Sequence, residues 1–380
     1  MKHRRSRHIG RGFLAIGATA FAVTAASLIG GPALADTGAP PVEWDASSID
    51  EVYAPADGYY SYAPSVIRDG ATEWIWSCHN DDFRVIKDHI YLTKIVDGVV
   101  VDSRSVLQAS PSPAWDSFHV CDPSVVAGRF SYQGTTYGLA MFYLGNDLDA
   151  SAHNQVGVAF ANRPEGPWVK LPDPVVTFDR TDQWGAGQPT AVSMPGKPGT
   201  VLLGYTQGDT STRAFVVSVD LPAAESAKIS EPRLLPTAGL TGTDGAPDYL
   251  NGFDLVYDKR GDRFLTVREQ HPYPTDNPWW IGPSVQVAAI DADDLVKGRG
   301  VWTPAGDIDE SLTGFPRNHN AGFARDWKGN LAAKDDVTVV FTKSCSSLPT
   351  VDDQDWSQAT CDSLYSYDLW SIDGELRKRR

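Results

Sequence analysis

The sequence has little with which to build a small scaffold held by covalent or metal chemistry. Four cysteines in 380 residues exclude a disulfide-dense framework, and the absence of any Cys-x-x-Cys pair removes zinc-ribbon and thioredoxin readings. Three methionines exclude a Met-rich adaptable surface. There is no Gly-x-Ser-x-Gly elbow, no His-Glu-x-x-His helix, no phosphate loop and no dinucleotide fingerprint. Helix-period patterning is almost absent. Positive charge is scarce beyond residue 35. Five of the 33 Lys+Arg fall before it (Lys2, Arg4, Arg5, Arg7 and Arg11), leaving 28 against 48 Asp+Glu, a balance of −20. Such a body repels nucleic acid and anionic membrane, so neither is expected as a partner.

What is present starts with an export signal. Basic Met1–Gly12 is followed by the uncharged apolar run Phe13–Gly30 and by Gly31-Pro32-Ala33-Leu34-Ala35-Asp36. Small residues stand at −3 and −1 of a cut after Ala35, which is the build of a secretory signal peptide. An apolar run of this length is just able to span a membrane, but the Ala-Leu-Ala site favours cleavage. Residues 1–35 are therefore expected to leave a secreted chain of residues 36–380, with no second apolar segment able to span. Export permits disulfides. Cys345 and Cys361 bracket a polar stretch and are expected to pair, which leaves Cys78 with Cys121.

The most informative feature is internal repetition. Apolar runs led by a small or polar residue recur at Ala63-Pro64-Ser65-Val66-Ile67, Asp122-Pro123-Ser124-Val125-Val126 and Gln188-Pro189-Thr190-Ala191-Val192. Looser copies begin at Asp254 and Asn320. A second and a third β-forming run follow each copy, and fourth strands are plausible at Val99–Val106, Trp168–Val176, Ile229–Leu235 and Gly300–Thr303. Four strands per unit and five units predict an all-β, five-bladed β-propeller of antiparallel blades, starting near 63, 122, 188, 254 and 320. A pair of β-sandwiches would also show short strands but would not need a fixed period. The last blade lacks a fourth strand, which either Pro41–Tyr53 or the C-terminal tail could supply.

In a propeller, strand 1 starts nearest the axis, so Ala63, Asp122, Gln188, Asp254 and Asn320 are expected to ring the channel mouth. The long loops fall on that same face, where binding and catalysis usually sit. Converging carboxylates and amides suit glycosidic hydrolysis, which needs one protonated carboxyl and one ionised carboxylate. Asp122, Asp254 and Glu269 are the catalytic candidates, with Glu269 as the acid. His79 and Asn154 add polar groups at strand ends. Sugar faces stack on aromatic rings, and Trp115, Trp184, Trp279 and Trp280 lie in mouth loops.

Tyr62–Gly70 and Cys121–Val126 resemble the blade-opening motifs of glycoside hydrolase family 43 and its five-bladed relatives. Val156–Trp168, ending in Gly-Pro-Trp, is similar to that family's strand-turn-strand element, and Arg317-Asn318-His319-Asn320-Ala321-Gly322 to its Gly-His-Asn segment. The resemblance implies a secreted, inverting hydrolase of polysaccharides containing arabinose or xylose. It needs no cofactor, apart from a Ca²⁺ or water that His319 would help hold in the channel, and a monomer is expected. The family pattern has two Asp and one Glu at strand-1 starts. Here Gln188, Asn320 and Ala63 stand beside Asp122 and Asp254, and Glu165 falls in a far-face turn. A glycan-binding propeller without a general acid is the rival. A transferase or phosphorylase ranks last, because few basic residues fall at the mouth.

Overall fold

A computed structural model describes residues 40–55, 60–80, 86–148, 152–177, 183–208, 212–275, 281–344 and 367–377. The signal segment, Trp279, Trp280 and the expected Cys345–Cys361 pair lie outside the described residues. Gly38–Arg380 forms one compact unit. In chain order, β1 (Val42–Tyr53) precedes a first group of strands, β2 (Ser61–Asp69), β3 (Thr72–Asn80), β4 (Asp88–Val96) and β5 (Val99–Leu107). A second group holds β6 (His119–Tyr132), β7 (Thr135–Asn146), β8 (Gln155–Ala161) and β9 (Val169–Lys170). The third holds β10 (Gly185–Ser193), β11 (Thr200–Gly208), β12 (Thr212–Asp220) and the short β13 (Lys228–Ile229) and β14 (Arg233–Leu234). The fourth holds β15 (Asp254–Asp258), β16 (Arg263–Glu269), β17 (Val285–Asp291) and β18 (Thr303–Ile308). Last come β19 (Arg317–Arg325), β20 (Asp336–Ser344) and β21 (Asp368–Leu376).

Within each group the strands pair antiparallel in sequence order, except that β14 follows β13 in pairing with β12. The fifth group is completed from the other end of the chain, since β1 pairs antiparallel with β21. Of the two ways to complete it, Pro41–Tyr53 is the one the structure uses. The expected fourth strand at Gly300–Thr303 lies further on, as β18, and the shortened pairing of β9 is continued by an isolated bridge from Val156 to Val176.

Five hydrophobic clusters lie between successive groups. Trp76, Ile90, Val125 and Tyr143 pack groups one and two, and Phe142, Phe160, Leu203 and Tyr205 pack two and three. Leu202, Val216, Phe264 and Trp302 join three and four, and Val267, Val287, Phe323 and Phe341 join four and five. Val66, Ile75, Ala324 and Leu369 return from five to one. Each sheet is thus buried on both faces, which is why a central strand such as β7 holds the nearly continuous apolar run Leu139–Leu144. Burying one such large side chain contributes about 1.5–3 kcal/mol.

The first strands touch in the same order, β2 to β6, β6 to β10, β10 to β15, β15 to β19 and β19 to β2. One end of the space between them is closed by the turn after β19. There Trp327, Lys328 and Gly329 carbonyls accept from the backbone N–H groups of Ala127, Ser193 and Tyr257 in groups two, three and four. Trp327 Nε1 donates to Asp69 of group one at 2.9 Å.

Candidate functional site

The opposite end carries a repeated backbone irregularity. Ala63, Asp122, Gln188 and Asn320 all have positive φ, at 50°, 46°, 50° and 42°. Each sits at a break in register with the second strand of its group. A left-handed non-glycine residue costs of order 1–3 kcal/mol and persists only where its surroundings over-determine it. In the fourth group the equivalent residue is Gly252, φ 50°, and not Asp254. The mouth ring is therefore Ala63, Asp122, Gln188, Gly252 and Asn320, and these residues line a small axial cavity of ≈ 40 Å³. A space of that size holds about two waters.

Asp254 belongs one layer deeper, two residues beyond the ring position, as do Ser65, Ser124, Thr190 and Gly322. That layer is an inter-group hydrogen-bond chain. Val125 N–H donates to Ser65 Oγ at 3.1 Å, Ala191 to Ser124 at 2.9 Å, Leu255 to Thr190 at 2.9 Å and Phe323 to Asp254 at 2.9 Å. At the fifth junction Gly322 has no side chain, and a Cβ there would lie 2.2 Å from Pro64 O. Backbone pairing of Ala324 with Val66 replaces the side-chain link. Asp254 lines the same cavity from this deeper layer, with its oxygens taken by Thr190 Oγ1 at 2.6 Å, Phe323 N–H and Arg325 Nη1 at 3.2 Å.

Arg325 is fully buried and spans the space between the groups. Nη1 donates to Ala191 O, Asp254 Oδ1 and Leu255 O at 3.1–3.2 Å, and Nη2 to Ser124 Oγ at 3.2 Å and Ser65 Oγ at 3.4 Å. A side chain of group five thus binds all four others. This bears on the cation that the family resemblance implies. The positive charge at the axis is a guanidinium already matched to Asp254. His319 is buried and edge-on to Tyr367 at 4.7 Å, and burial pushes its pKa down to about 3. Among the described residues no carboxylate gathers with His319 as a ligand set. The one such group holds Asp88 with Cys78 and Cys121, whose sulfurs are bonded to each other. His319 Nε2 is itself buried without a partner among the described residues.

Cys78 and Cys121 form the expected disulfide, which ties the end of β3 to the start of β6 with Cα atoms 4.9 Å apart. Asp122 follows directly, with its N–H 2.9 Å from Cys78 Sγ. Burial, with added repulsion from Asp88 and Glu269, outweighs a hydrogen bond from the Gln188 N–H and raises the Asp122 pKa to about 7. Asp88 itself is fully buried; it accepts from both Tyr60 and Tyr62, the latter at 2.7 Å.

Glu269, at the end of β16, reaches the mouth because Gly252 leaves room. A Cβ on Gly252 would stand 2.9 Å from the Glu269 carboxyl carbon. The carboxylate then does what the ring side chain does elsewhere. Gln188 Oε1 accepts the Gly252 N–H at 3.0 Å, and Glu269 Oε1 accepts the Asn320 N–H at 3.2 Å. Its Oε2 accepts from Tyr273 and from Asn251 Nδ2 at 3.4 Å. Burial raises the Glu269 pKa, and these donors together with His271 oppose the rise. The mouth thus brings together Asp122, Glu269, Gln188 and Asn320.

Other expected contacts lie elsewhere. Trp115 stacks on Tyr143 at 5.8 Å and 19°, over Gly145 and Gly157, whose missing side chains make its space; it is a packing residue of group two and no platform. His79 is buried against Tyr91 at 4.0 Å. Asn154 is buried, with Oδ1 held by Asn146 at 3.1 Å and its backbone bridged to Gly185. Trp184 remains half-buried beside Gly187, adjacent to the ring. Tyr62, Tyr273 and Asp248 were not legible as site residues, since a strand-end tyrosine, a loop tyrosine and a loop acid carry no spacing signal of their own.

No family model matches the chain, and no curated protein does. Solved structures do. A family 117 glycoside hydrolase of the marine bacterium Zobellia galactanivorans superposes with a TM-score of 0.56 at 12% identity, covering 90% of this chain and 92% of that one. An α-L-arabinofuranosidase of Podospora anserina gives 0.55 at 10% identity, over 89% and 97%. An endo-arabinase of Bacteroides thetaiotaomicron gives 0.51 at 11%, over 87% and 99%. The chain shares the fold of these glycoside hydrolases.

Proposed function

We propose that the protein is a secreted five-bladed β-propeller glycoside hydrolase acting on a glycan that contains arabinose or xylose, after export by the residue 1–35 signal. The fold shared with propeller glycosidases supports this. The observation that carries it is the pairing of Asp122 and Glu269 at one axial mouth, both raised by burial but in different hydrogen-bonding environments. Asp122, raised to about 7, keeps a proton near neutrality and is the general acid toward the leaving oxygen. Glu269, held by three donors, is assigned as the base that activates water on the opposite sugar face, with inversion. This exchanges the role first expected for Glu269. Asp254 holds the axis, and no metal ion is required.

Ala63 and Gln188, two of the four uncharged members of the ring, favour a second reading, a glycan-binding protein without turnover. Incubation with arabinan, xylan and nitrophenyl pentosides decides between them. Turnover abolished in Asp122→Asn and Glu269→Gln supports hydrolysis, with the anomer of the first product read by NMR. Binding without turnover in the wild type sinks it.

A further inference from the structure

Beside Glu269 lies a histidine that the proposed pair of carboxylates does not use. His271 Nδ1 is 2.8 Å from Asp248 Oδ1, and the His271 N–H donates to Asp248 Oδ2 at 3.0 Å. Arg268 Nη1 donates to the same Oδ2 at 2.5 Å. Burial works to raise the Asp248 pKa, but these donors outweigh it and hold the carboxyl well below the usual range. An ionised carboxylate only accepts. The proton between the two side chains therefore belongs to Nδ1, and in the neutral ring Nε2 carries a bare lone pair.

That Nε2 is buried and has no partner among the described residues. The ring is also fixed in place. It is stacked between Tyr249, at 4.1 Å and 19°, and Tyr273, at 4.6 Å and 26°. Tyr273 in turn donates to Glu269 and accepts from Asn251 Nδ2 at 2.8 Å. A buried acceptor without a donor is unfavourable, and a native structure that keeps one calls for an explanation. Here the acceptor is aligned by two tyrosines and a carboxylate, beside a carboxylate of the mouth.

We propose that His271 Nε2 accepts a hydrogen bond from one sugar hydroxyl of the substrate held against Glu269, with Asp248, Tyr249 and Tyr273 as its positioning residues. The inference rests on the glycosidase reading and adds a specificity determinant to it. The ligand class follows from the chemistry. The group read must be a donor, and carboxylates at Asp248 and Glu269 repel an anionic sugar, so a neutral pentose hydroxyl fits. A site built to pair a hydroxyl rejects the analogue lacking it far more strongly than a merely apolar pocket would.

The test uses the full secreted chain with 4-nitrophenyl α-L-arabinofuranoside, 4-nitrophenyl β-D-xylopyranoside and the monodeoxy analogues of whichever is turned over. His271→Phe keeps the stack and removes the acceptor. It should raise KM by about tenfold to a hundredfold while changing kcat much less. One deoxy analogue should be impaired by a similar factor in the wild type and no further in the variant. Asp248→Asn can donate to Nδ1, which moves the ring proton to Nε2 and turns acceptor into donor; it should show the same KM defect. Equal deoxy discrimination in wild type and His271→Phe overturns the proposal and leaves the glycosidase reading intact. So does a lowered unfolding midpoint with KM unchanged, which would make His271 structural. Neither turnover nor glycan binding in the wild type overturns both.

Discussion

Two layers of the same fivefold repeat, two residues apart, have taken opposite roles. In the deeper layer Ser65, Ser124, Thr190 and Asp254 each accept a backbone N–H from the next group, and Arg325 binds across them. Both terminal nitrogens of Arg325 and both oxygens of Asp254 have partners, and the layer joins the groups. In the mouth layer Ala63, Asp122, Gln188 and Asn320 are left-handed, and the carboxylates of Asp122 and Glu269 are raised by burial. Strain and displaced protonation collect in the mouth layer; the side-chain hydrogen bonds that join the groups collect in the deeper one. Repetition supplies position, and the departures from repetition supply chemistry.

The sharpest way to break this contrast is Asp122→Asn, which keeps an acceptor for the Gln188 N–H but removes the proton donor. Turnover of a pentoside should fall about 10²–10⁴-fold with no loss of folding stability; a mild loss of turnover would return Asp122 to the structural class. Next in size is Arg325→Met. It leaves Asp254 buried and uncompensated, and urea unfolding should register a loss of about 3–5 kcal/mol. An unchanged midpoint would show that the axis does not depend on the guanidinium. Replacing Cys78 and Cys121 together by serine releases a closed loop of sequence separation 43. It should destabilise by about 2–4 kcal/mol and, by freeing the backbone before Asp122, also lower turnover.

Smaller effects follow from protonation. Turnover should fall as pH rises through about 7, since only protonated Asp122 donates. The folded chain holds this proton more tightly than the unfolded chain, whose carboxyl has its ordinary value of 3.8. Asp122 therefore works against folding increasingly as pH climbs from 3.8 to 7, and fully above that. Asp122→Asn should raise the melting temperature at pH 8 and not at pH 3; equal shifts at both would remove burial of the charge as the cause. Least of all, chelation with EDTA should leave both turnover and melting temperature unchanged, because Arg325 already supplies the axial charge. A chelator-sensitive activity would reinstate a channel cation.

Much of this was legible beforehand. Leading residues before short β-forming runs gave four of the five ring positions, because each carries a break in strand register that demands an unusual residue. The fifth was misplaced at Asp254. Gly252 is conformationally right but chemically silent, and a carboxylate two residues on drew the eye. Pairing of Cys78 with Cys121 was also legible, since both fall where neighbouring groups meet. Trp115 and His79 were not, as a loop tryptophan and a strand-end histidine look alike whether they face a neighbour or a ligand.

Local chemistry in the sequence determined that the chain would form short strands in repeating groups of four, that Asp122 and Glu269 would lie at strand ends on one face, and that few basic residues would fall there. Those are consequences of period, turn residues and composition, which act over a few neighbours. Only the tertiary structure decided that β1 would complete the group of β21, that Arg325 would be the axial charge, and that Gly252 would yield its place to Glu269. Each of these joins residues far apart in the chain, through burial and hydrogen bonds that have no local signal.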